Sequence, residues 1–365
     1  MEKVRHILWE FYKKRAAFSF TSFSKLISQL VIAGIGIKRF SSLVSCIFFL
    51  LIGQGLLAQT QLGSDFVVTQ DERHGYRVSL SADGSRLAIS SPYHEGGPLN
   101  SSGNNLQNGR VRVFEYNSNS GSWTQLGSDI YGKNAEKWGT SMTLSADGSR
   151  VAMSNSYYTY GQGSPIYSAA VYEYESSSNT WSQVGDYIDG IAGENFGSSL
   201  SLSSDGSKLV VGANNYDLSS SSSAYADYGR VGVYYDDNGT WKIERSINHS
   251  QHIPGQGQYE NFGYNVSISS IGLRLAITGR ANGSGSPSIA RFYDLNTTDY
   301  SEFRWQEQAG SEIEITDPSS RFPLDMSLSS DGSRVVISDG GNDENGSNSG
   351  KVQVYEYNKI GRAHV

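Results

Sequence analysis

Cysteine and proline are scarce in this sequence of 365 residues, which contains one cysteine and seven prolines. The cysteine, Cys46, lies in an apolar N-terminal run, so residues 59–365 offer no thiol for a disulfide, for catalysis or for binding zinc. Only 18% of the residues are charged, whereas there are 41 glycines and 23 tyrosines. This composition is typical of many short strands joined by turns, because a helical protein needs more Leu, Ala, Glu and Lys.

Positive charge is also scarce after residue 58. Residues 59–365 contain 21 of the 29 Lys and Arg residues and 34 of the 36 Asp and Glu residues, a net charge of −13. A nucleic-acid interface needs a basic face, so we expect no nucleic-acid partner. Cations or neutral sugars suit such a surface better than polyanions.

Residues 1–58 resemble an export signal with a long N-terminal lead. Lys38 and Arg39 precede the apolar run "LVSCIFFLLIGQGLLA", which ends at the small residue Ala58. This order predicts a secretory signal peptide cleaved near Ala58 and a secreted or cell-surface protein. The run is shorter than the about 20 residues of a membrane span. An uncleaved signal anchor is the alternative, and it would be the chain's only contact with a membrane.

Five segments of the remaining sequence align without gaps, and each has Asp-Gly or Ile-Gly at its centre. The turn positions are 58 to 66 residues apart, a spacing that predicts a repeat architecture. Alternating apolar residues on both sides of the turn predict a β-hairpin. The segments are "HGYRVSLSADGSRLAIS" from His74, "WGTSMTLSADGSRVAMS" from Trp138, "FGSSLSLSSDGSKLVVG" from Phe196, "FGYNVSISSIGLRLAIT" from Phe262 and "FPLDMSLSSDGSRVVIS" from Phe322.

Each hairpin is followed by a third strand such as "GRVRVFEYN" from Gly109, and the first four by a further strand that opens with Trp. The sequence therefore predicts an all-β protein, a β-propeller of four-stranded antiparallel blades with five repeats visible and a larger natural number left open. The segment "TQLGSDF" from Thr60 is a fourth strand without a blade, and the fifth repeat lacks its own. We expect this N-terminal strand to close the ring, which removes an exposed edge. The propeller domain spans 59–358, and 359–365 is interpreted as a non-native tail.

The stretch "FGSSLSLSSDGSKLVVGAN" at 196–214 resembles the FG-GAP repeat of integrin-α-like propellers, and "SADGSRLAI" resembles the hairpins of TolB-like and WD40-like propellers. The resemblance implies a secreted protein for adhesion or extracellular binding. Many FG-GAP repeats bind calcium through several aspartates, whereas each turn here has at most one carboxylate. We therefore expect no family-type calcium loop, no metal site and no cofactor, with calcium bound in another way as the alternative.

The loops leading into the blades and the loops between the second and third strands share one end of the predicted propeller. Carboxylates there suit a cation or sugar hydroxyls, and tyrosines suit a sugar face. The candidate ligand-binding residues are Glu72, Glu136, Glu194, Glu260, Tyr93, Tyr157, Tyr158, Tyr160, Tyr216 and Tyr225. The alternative is that these glutamates belong to the repeat consensus and lie on solvated loops without a ligand.

No catalytic motif is recognisable in the sequence, and we name no catalytic residue. The sequence favours a non-catalytic binding or adhesion module for extracellular glycan or protein partners. A glycan-active hydrolase or lyase that uses the loop-rich end is the first alternative, since paired carboxylates need only spatial proximity. A passive scaffold repeat of a larger surface protein is the second.

Overall fold

A computed structural model describes residues 60–68, 71–97, 107–132, 137–155, 167–191, 193–217, 227–246, 252–256, 260–279, 288–296, 304–308, 312–315, 324–347 and 349–357. The chain forms two compact units, residues 1–61 and 62–365. Only Thr60 and Gln61 of the first unit are described. The predicted signal segment and the predicted tail lie outside the described residues. No helix within the described ranges is long and apolar enough to cross a membrane.

The second unit is all-β, and its antiparallel blades are arranged as a five-bladed β-propeller, as predicted. The first blade comprises β1 (Val78–Leu80), β2 (Arg86–Ser91), β3 (Arg110–Asn117), β4 (Ser122–Gln125) and β5 (Ile130–Tyr131). The second comprises β6 (Ser141–Leu144), β7 (Arg150–Ser154), β8 (Ser168–Glu175), β9 (Thr180–Gln183) and β10 (Ile188–Asp189). The third comprises β11 (Phe196–Leu202), β12 (Lys208–Ala213), β13 (Arg230–Asp236), β14 (Trp241–Ile243) and β16 (Ile253–Pro254).

The fourth blade comprises β17 (Asn265–Ile268), β18 (Arg274–Gly279), β19 (Ser288–Asn296), β20 (Arg304–Glu307) and β21 (Ile313–Ile315). The short strand β15 (Arg245–Ser246) joins this sheet by parallel pairing with β20. The fifth blade shows three strands, β22 (Leu324–Leu328), β23 (Arg334–Asp339) and β24 (Lys351–Glu356). The predicted hairpins are thus confirmed in all five blades, and the predicted Trp strands in the first four.

The hairpin turns are held by their own polar residues. In the first turn, the Asp83 carboxylate accepts hydrogen bonds from the hydroxyls of Ser81 and Ser85. The hydrogen bond from the backbone N–H of Ser85, followed by those from the two hydroxyls, lowers the pKa of Asp83 to about 2. The fourth repeat has Ile271 instead of aspartate, yet its turn survives, because Gly272 adopts a φ of 69° and its N–H donates to the Ser269 carbonyl at 2.8 Å.

The hydrophobic core lies between successive blades. Val111 and Val113 of β3 pack with Met142 and Leu144 of the second blade. The same arrangement joins the third strands of the second, third and fourth blades to the inner strand of the blade that follows each of them. Because one sheet cannot bury both of its faces, each blade depends on its neighbours for stability.

The N-terminal segment lies against the first blade. The indole Nε1–H of Trp123 donates to the Leu62 carbonyl at 2.9 Å, as Trp181 donates to Leu126 of the preceding blade at 2.8 Å. Phe66 also contacts the ring of Phe114, with centroids 4.7 Å apart. Residues 62–66 therefore occupy the place of a fourth strand that precedes the first blade. Their pairing with the fifth blade stays a prediction.

Candidate functional site

Buried carboxylates lie in the loops that lead into the blades, at the predicted end of the propeller. The side chains of Glu72, Glu194 and Glu260 are at most 9% exposed. Each forms an ion pair with an arginine on the third strand of its own blade. The pairs are Glu72 with Arg110 at 2.8 Å, Glu194 with Arg230 at 2.6 Å, and Glu260 with Arg291.

These ion pairs tie the lead-in loops to the third strands. Glu194 also accepts the backbone N–H of Ile191, and Glu260 accepts that of Gln256. Each carboxylate thus faces its own arginine. A part in ligand binding stays a prediction for these glutamates. The arginines were missed by sequence reasoning, although the "GR" that opens two third strands marks the positions of Arg110 and Arg230.

A carboxylate–histidine pair lies at the end of the first blade. His94 Nδ1 is 2.6 Å from Glu72 Oε2, and the histidine side chain is 11% exposed. Gly96 lies beside the other ring nitrogen, since a Cβ added at Gly96 would come within 2.6 Å of Nε2. A side chain at position 96 would therefore obstruct Nε2. Sequence reasoning missed His94 as the partner of Glu72, because the two residues are 22 positions apart.

Asp129 and Tyr131 border this pair. The guanidinium of Arg110 bridges Glu72 and Asp129, at 2.8 and 3.0 Å, and the Tyr131 hydroxyl donates to Asp129 at 3.1 Å. Burial by itself would raise the pKa of Asp129, but hydrogen bonds from Gln125 and Tyr131 and the charge of Arg110 outweigh it, so this pKa lies below its ordinary value. Burial and the neighbouring Asp129 raise the pKa of Tyr131.

Two cations lie over the ring of Tyr93, the residue before His94. The Arg73 guanidinium carbon is 4.1 Å and the Lys137 ammonium 4.6 Å from the ring centroid. Both residues adopt left-handed backbone conformations, with φ of 49° and 51°. Arg73 and Lys137 occupy equivalent positions in the first and second blades. In the third and fourth blades this position is Asn195 or Asn261, and asparagine tolerates the conformation better. Such local strain is enriched at functional sites. We call Arg73, Tyr93, His94 and Lys137, with Glu72 beneath them, the Tyr93 cluster.

A second histidine lies in the third blade. Arg230 Nη1 is 3.1 Å from His252 Nδ1, and the Arg230 guanidinium lies 4.4 Å from the ring centroid of Tyr216. Burial, followed by the charge of Arg230, lowers the pKa of His252 to about 4. A neutral imidazole therefore accepts the arginine N–H. The remaining predicted site residues, Glu136, Tyr157, Tyr158, Tyr160 and Tyr225, lie outside the described residues.

The low pKa of His252 predicts a loss of stability in acid. An unfolded histidine binds a proton below about pH 6.5, whereas His252 in the folded protein remains neutral down to about pH 4. The free energy of unfolding should fall by up to about 3 kcal/mol as pH drops through this window. Urea unfolding at pH 7 and pH 4.5 measures it, and His252→Gln should reduce the difference. An unchanged pH dependence in that variant would contradict the assignment.

No protein-family model matches this sequence, and no curated protein sequence matches it. Solved structures of similar fold include hydrazine synthase from Kuenenia stuttgartiensis, with a TM-score of 0.45 and 13% identity over 77% of this chain and 70% of that one. The periplasmic gluconolactonase of Pseudomonas aeruginosa has a TM-score of 0.42 and 15% identity, over 71% and 63% of the two chains. A putative 6-phosphogluconolactonase from Bacteroides uniformis has a TM-score of 0.42 and 11% identity, over 82% and 84%.

These similar structures are named as enzymes, and nothing in the comparisons points to adhesion. The prediction of a non-catalytic adhesion module is therefore wrong. The propeller fold is confirmed, whereas no family match supports the finer FG-GAP assignment. At such low identity the likenesses concern the fold alone, so the case for any reaction has to come from the residues of this chain.

Proposed function

We propose that this propeller is a glycan-active hydrolase that cleaves an ester or lactone bond of an acidic sugar at the Tyr93 cluster. The observation that carries the proposal is the 2.6 Å contact between Glu72 Oε2 and His94 Nδ1. A carboxylate in this position accepts the Nδ1–H and so leaves the lone pair on Nε2. An imidazole oriented in this way can take up a proton at Nε2 and so serve as a general base.

In the proposed reaction, Nε2 of His94 removes a proton from water while the water oxygen attacks the acyl carbon. The bond from that carbon to the leaving oxygen breaks, and the imidazolium returns the proton to the leaving oxygen. Hydrolysis of a glycosidic bond needs a pair of available carboxylates. Glu72, Glu194 and Glu260 are instead held by arginines, which favours acyl chemistry.

The cations of the cluster support an acidic substrate. Arg73 and Lys137 concentrate positive charge beside His94 on a chain whose residues 59–365 carry a net charge of −13. A local basic patch attracts a carboxylate that the rest of the surface repels. The export signal and the FG-GAP-like hairpins further suggest that the enzyme meets its substrate outside the cell, and both remain part of this proposal.

The test is turnover of a panel of sugar lactones and acetylated oligosaccharides, each in an acidic and a neutral form. His94→Gln should lower kcat by at least about 100-fold, the usual contribution of a general base. The wild type should prefer the acidic form of each substrate. His252→Gln, which changes a histidine in another blade, is the matched control and should keep its activity. Thermal melts verify that both variants fold.

Equal kcat values in the wild type and His94→Gln would overturn the assignment of the base. An unsaturated sugar product would overturn the hydrolytic step, because it would mean that the base removes a carbon-bound proton.

A further inference from the structure

The first and fifth blades each leave one apolar face open. Val78 and Leu80 of β1 are 64% and 56% exposed, and Val352 and Val354 of β24 are 67% and 69% exposed. The residues equivalent to Val78 and Leu80 in the second, third and fourth blades are only 7–9% exposed. Those equivalent to Val352 and Val354 in the first three blades are at most 2% exposed. These four side chains are therefore unburied core positions.

The two open faces are the two halves of one interface. Between the first and second blades, Val111 and Val113 of a third strand pack with Met142 and Leu144 of the next inner strand. Val352 and Val354 correspond to the first pair, and Val78 and Leu80 to the second. One surface is therefore the complement of the other.

Backbone hydrogen bonds between successive blades also show that the first and fifth blades have complementary surfaces. Along the inner turns, a backbone N–H of each blade donates to a carbonyl of the next, from Ala82 to Ala146 and finally from Ser270 to Ser330, at 2.7–2.9 Å. At the two ends of this series, within the described residues, the backbone N–H of Ser330 and the carbonyl of Ala82 do not take part in such a bond. No bond of this kind joins the fifth blade to the first in that part of the chain.

The arginines that follow the hairpin turns also connect successive blades. Nη1 of Arg86, Arg150 and Arg274 donates to the turn glycine of the following blade, at 2.9–3.2 Å. The equivalent Arg334 of the fifth blade pairs with Glu356 on its own blade and remains 64% exposed. Gly84 in the first blade is the turn glycine that would accept from it.

The N-terminal segment supplies a missing strand. Leu62 binds Trp123 as the fourth strand of a preceding blade does, while the fifth blade shows three strands among its described residues. A first blade that docks on a fifth blade therefore brings this fourth strand with it. The four existing interfaces bury the equivalent side chains almost completely, so moving the blades of one chain toward each other would disturb that packing.

We propose that a second copy of this chain docks head to tail, its first blade and its segment 62–66 covering the fifth blade of the first copy. The interface is heterologous, because different surfaces of the two copies meet, so it forms rings or longer assemblies. It needs no contact that the blades do not already make within one chain.

The first experiment measures the mass of this 365-residue chain by light scattering over a range of concentrations. We expect concentration-dependent association. Val354→Lys should weaken it at least about tenfold, because a charge replaces a valine that the proposed interface buries. Ile271→Lys is the matched control, since Ile271 is 71% exposed on a turn away from this interface. It should associate like the wild type. A wild-type monomer at every concentration would overturn the proposal.

The second experiment identifies the occupant. Chains with Val78→Cys and chains with Val354→Cys, both lacking Cys46, are mixed and treated with a bis-maleimide that spans about 10 Å, the distance between packed sheets. A cross-link between the two kinds of chain is the expected result. A third chain carries both substitutions; if only this double variant cross-links, and does so within single chains, the proposal is overturned and closure within one chain is identified. The absence of any cross-link would also overturn it.

Discussion

Replacing Gly229 by alanine should lower the free energy of unfolding by about 3–5 kcal/mol. Gly229 precedes β13, has a φ of 73° and lies against the backbone of the next blade. A Cβ there would come within 2.2 Å of the Phe262 carbonyl oxygen and 2.3 Å of its nitrogen. Neither atom can move without separating the third blade from the fourth. Urea unfolding followed by circular dichroism measures the change.

Gly239→Ala is the matched control for this substitution. Gly239 has a φ of 84°, and a Cβ there meets no atom within 4 Å. Gly239→Ala should therefore lower the free energy of unfolding by only about 1 kcal/mol, the cost of placing alanine at a positive φ. Equal losses in the two variants would mean that the contact with Phe262 contributes nothing beyond backbone strain.

Removing Arg230 should destabilise the protein by about 3–5 kcal/mol, because it leaves the carboxylate of Glu194 buried without its cation. Both side chains are at most 9% exposed, and their charged atoms are 2.6 Å apart. Burial already raises the pKa of Glu194 in spite of the Ile191 N–H and the charge of Arg230. Arg230→Ala should therefore lose more stability at pH 8 than at pH 5, where the carboxyl takes up a proton more readily.

The matched control is Arg334→Ala, which breaks a similar pair on the surface. Arg334 and Glu356 are 64% and 56% exposed at 2.9 Å, so their pair should contribute at most about 1 kcal/mol. Chemical denaturation of both variants gives the comparison. If Arg230→Ala were no more costly than Arg334→Ala, the buried pairs would not hold the lead-in loops.

The candidate site shows how far sequence reasoning reached. The glutamates before the ring residues and Tyr93 were found because they recur at a fixed place or stand in a loop at one predicted end. Their partners were missed, since Glu72 is 22 residues from His94 and 38 from Arg110. Contacts over such separations depend on how a lead-in loop crosses the third strand, and periodicity carries no information about that crossing.

The sequence by itself determined the blades, because a hairpin is encoded locally by alternating apolar residues and a turn that tolerates positive φ. Even the Ile271 turn follows from Gly272 alone. Only the tertiary structure decided which carboxylate meets which arginine or histidine, and which apolar strands are left without a neighbour. Val78 and Val266 have the same place in the repeat, yet one is 64% and the other 7% exposed. Burial depends on the neighbouring blade, which lies about 60 residues away in the chain.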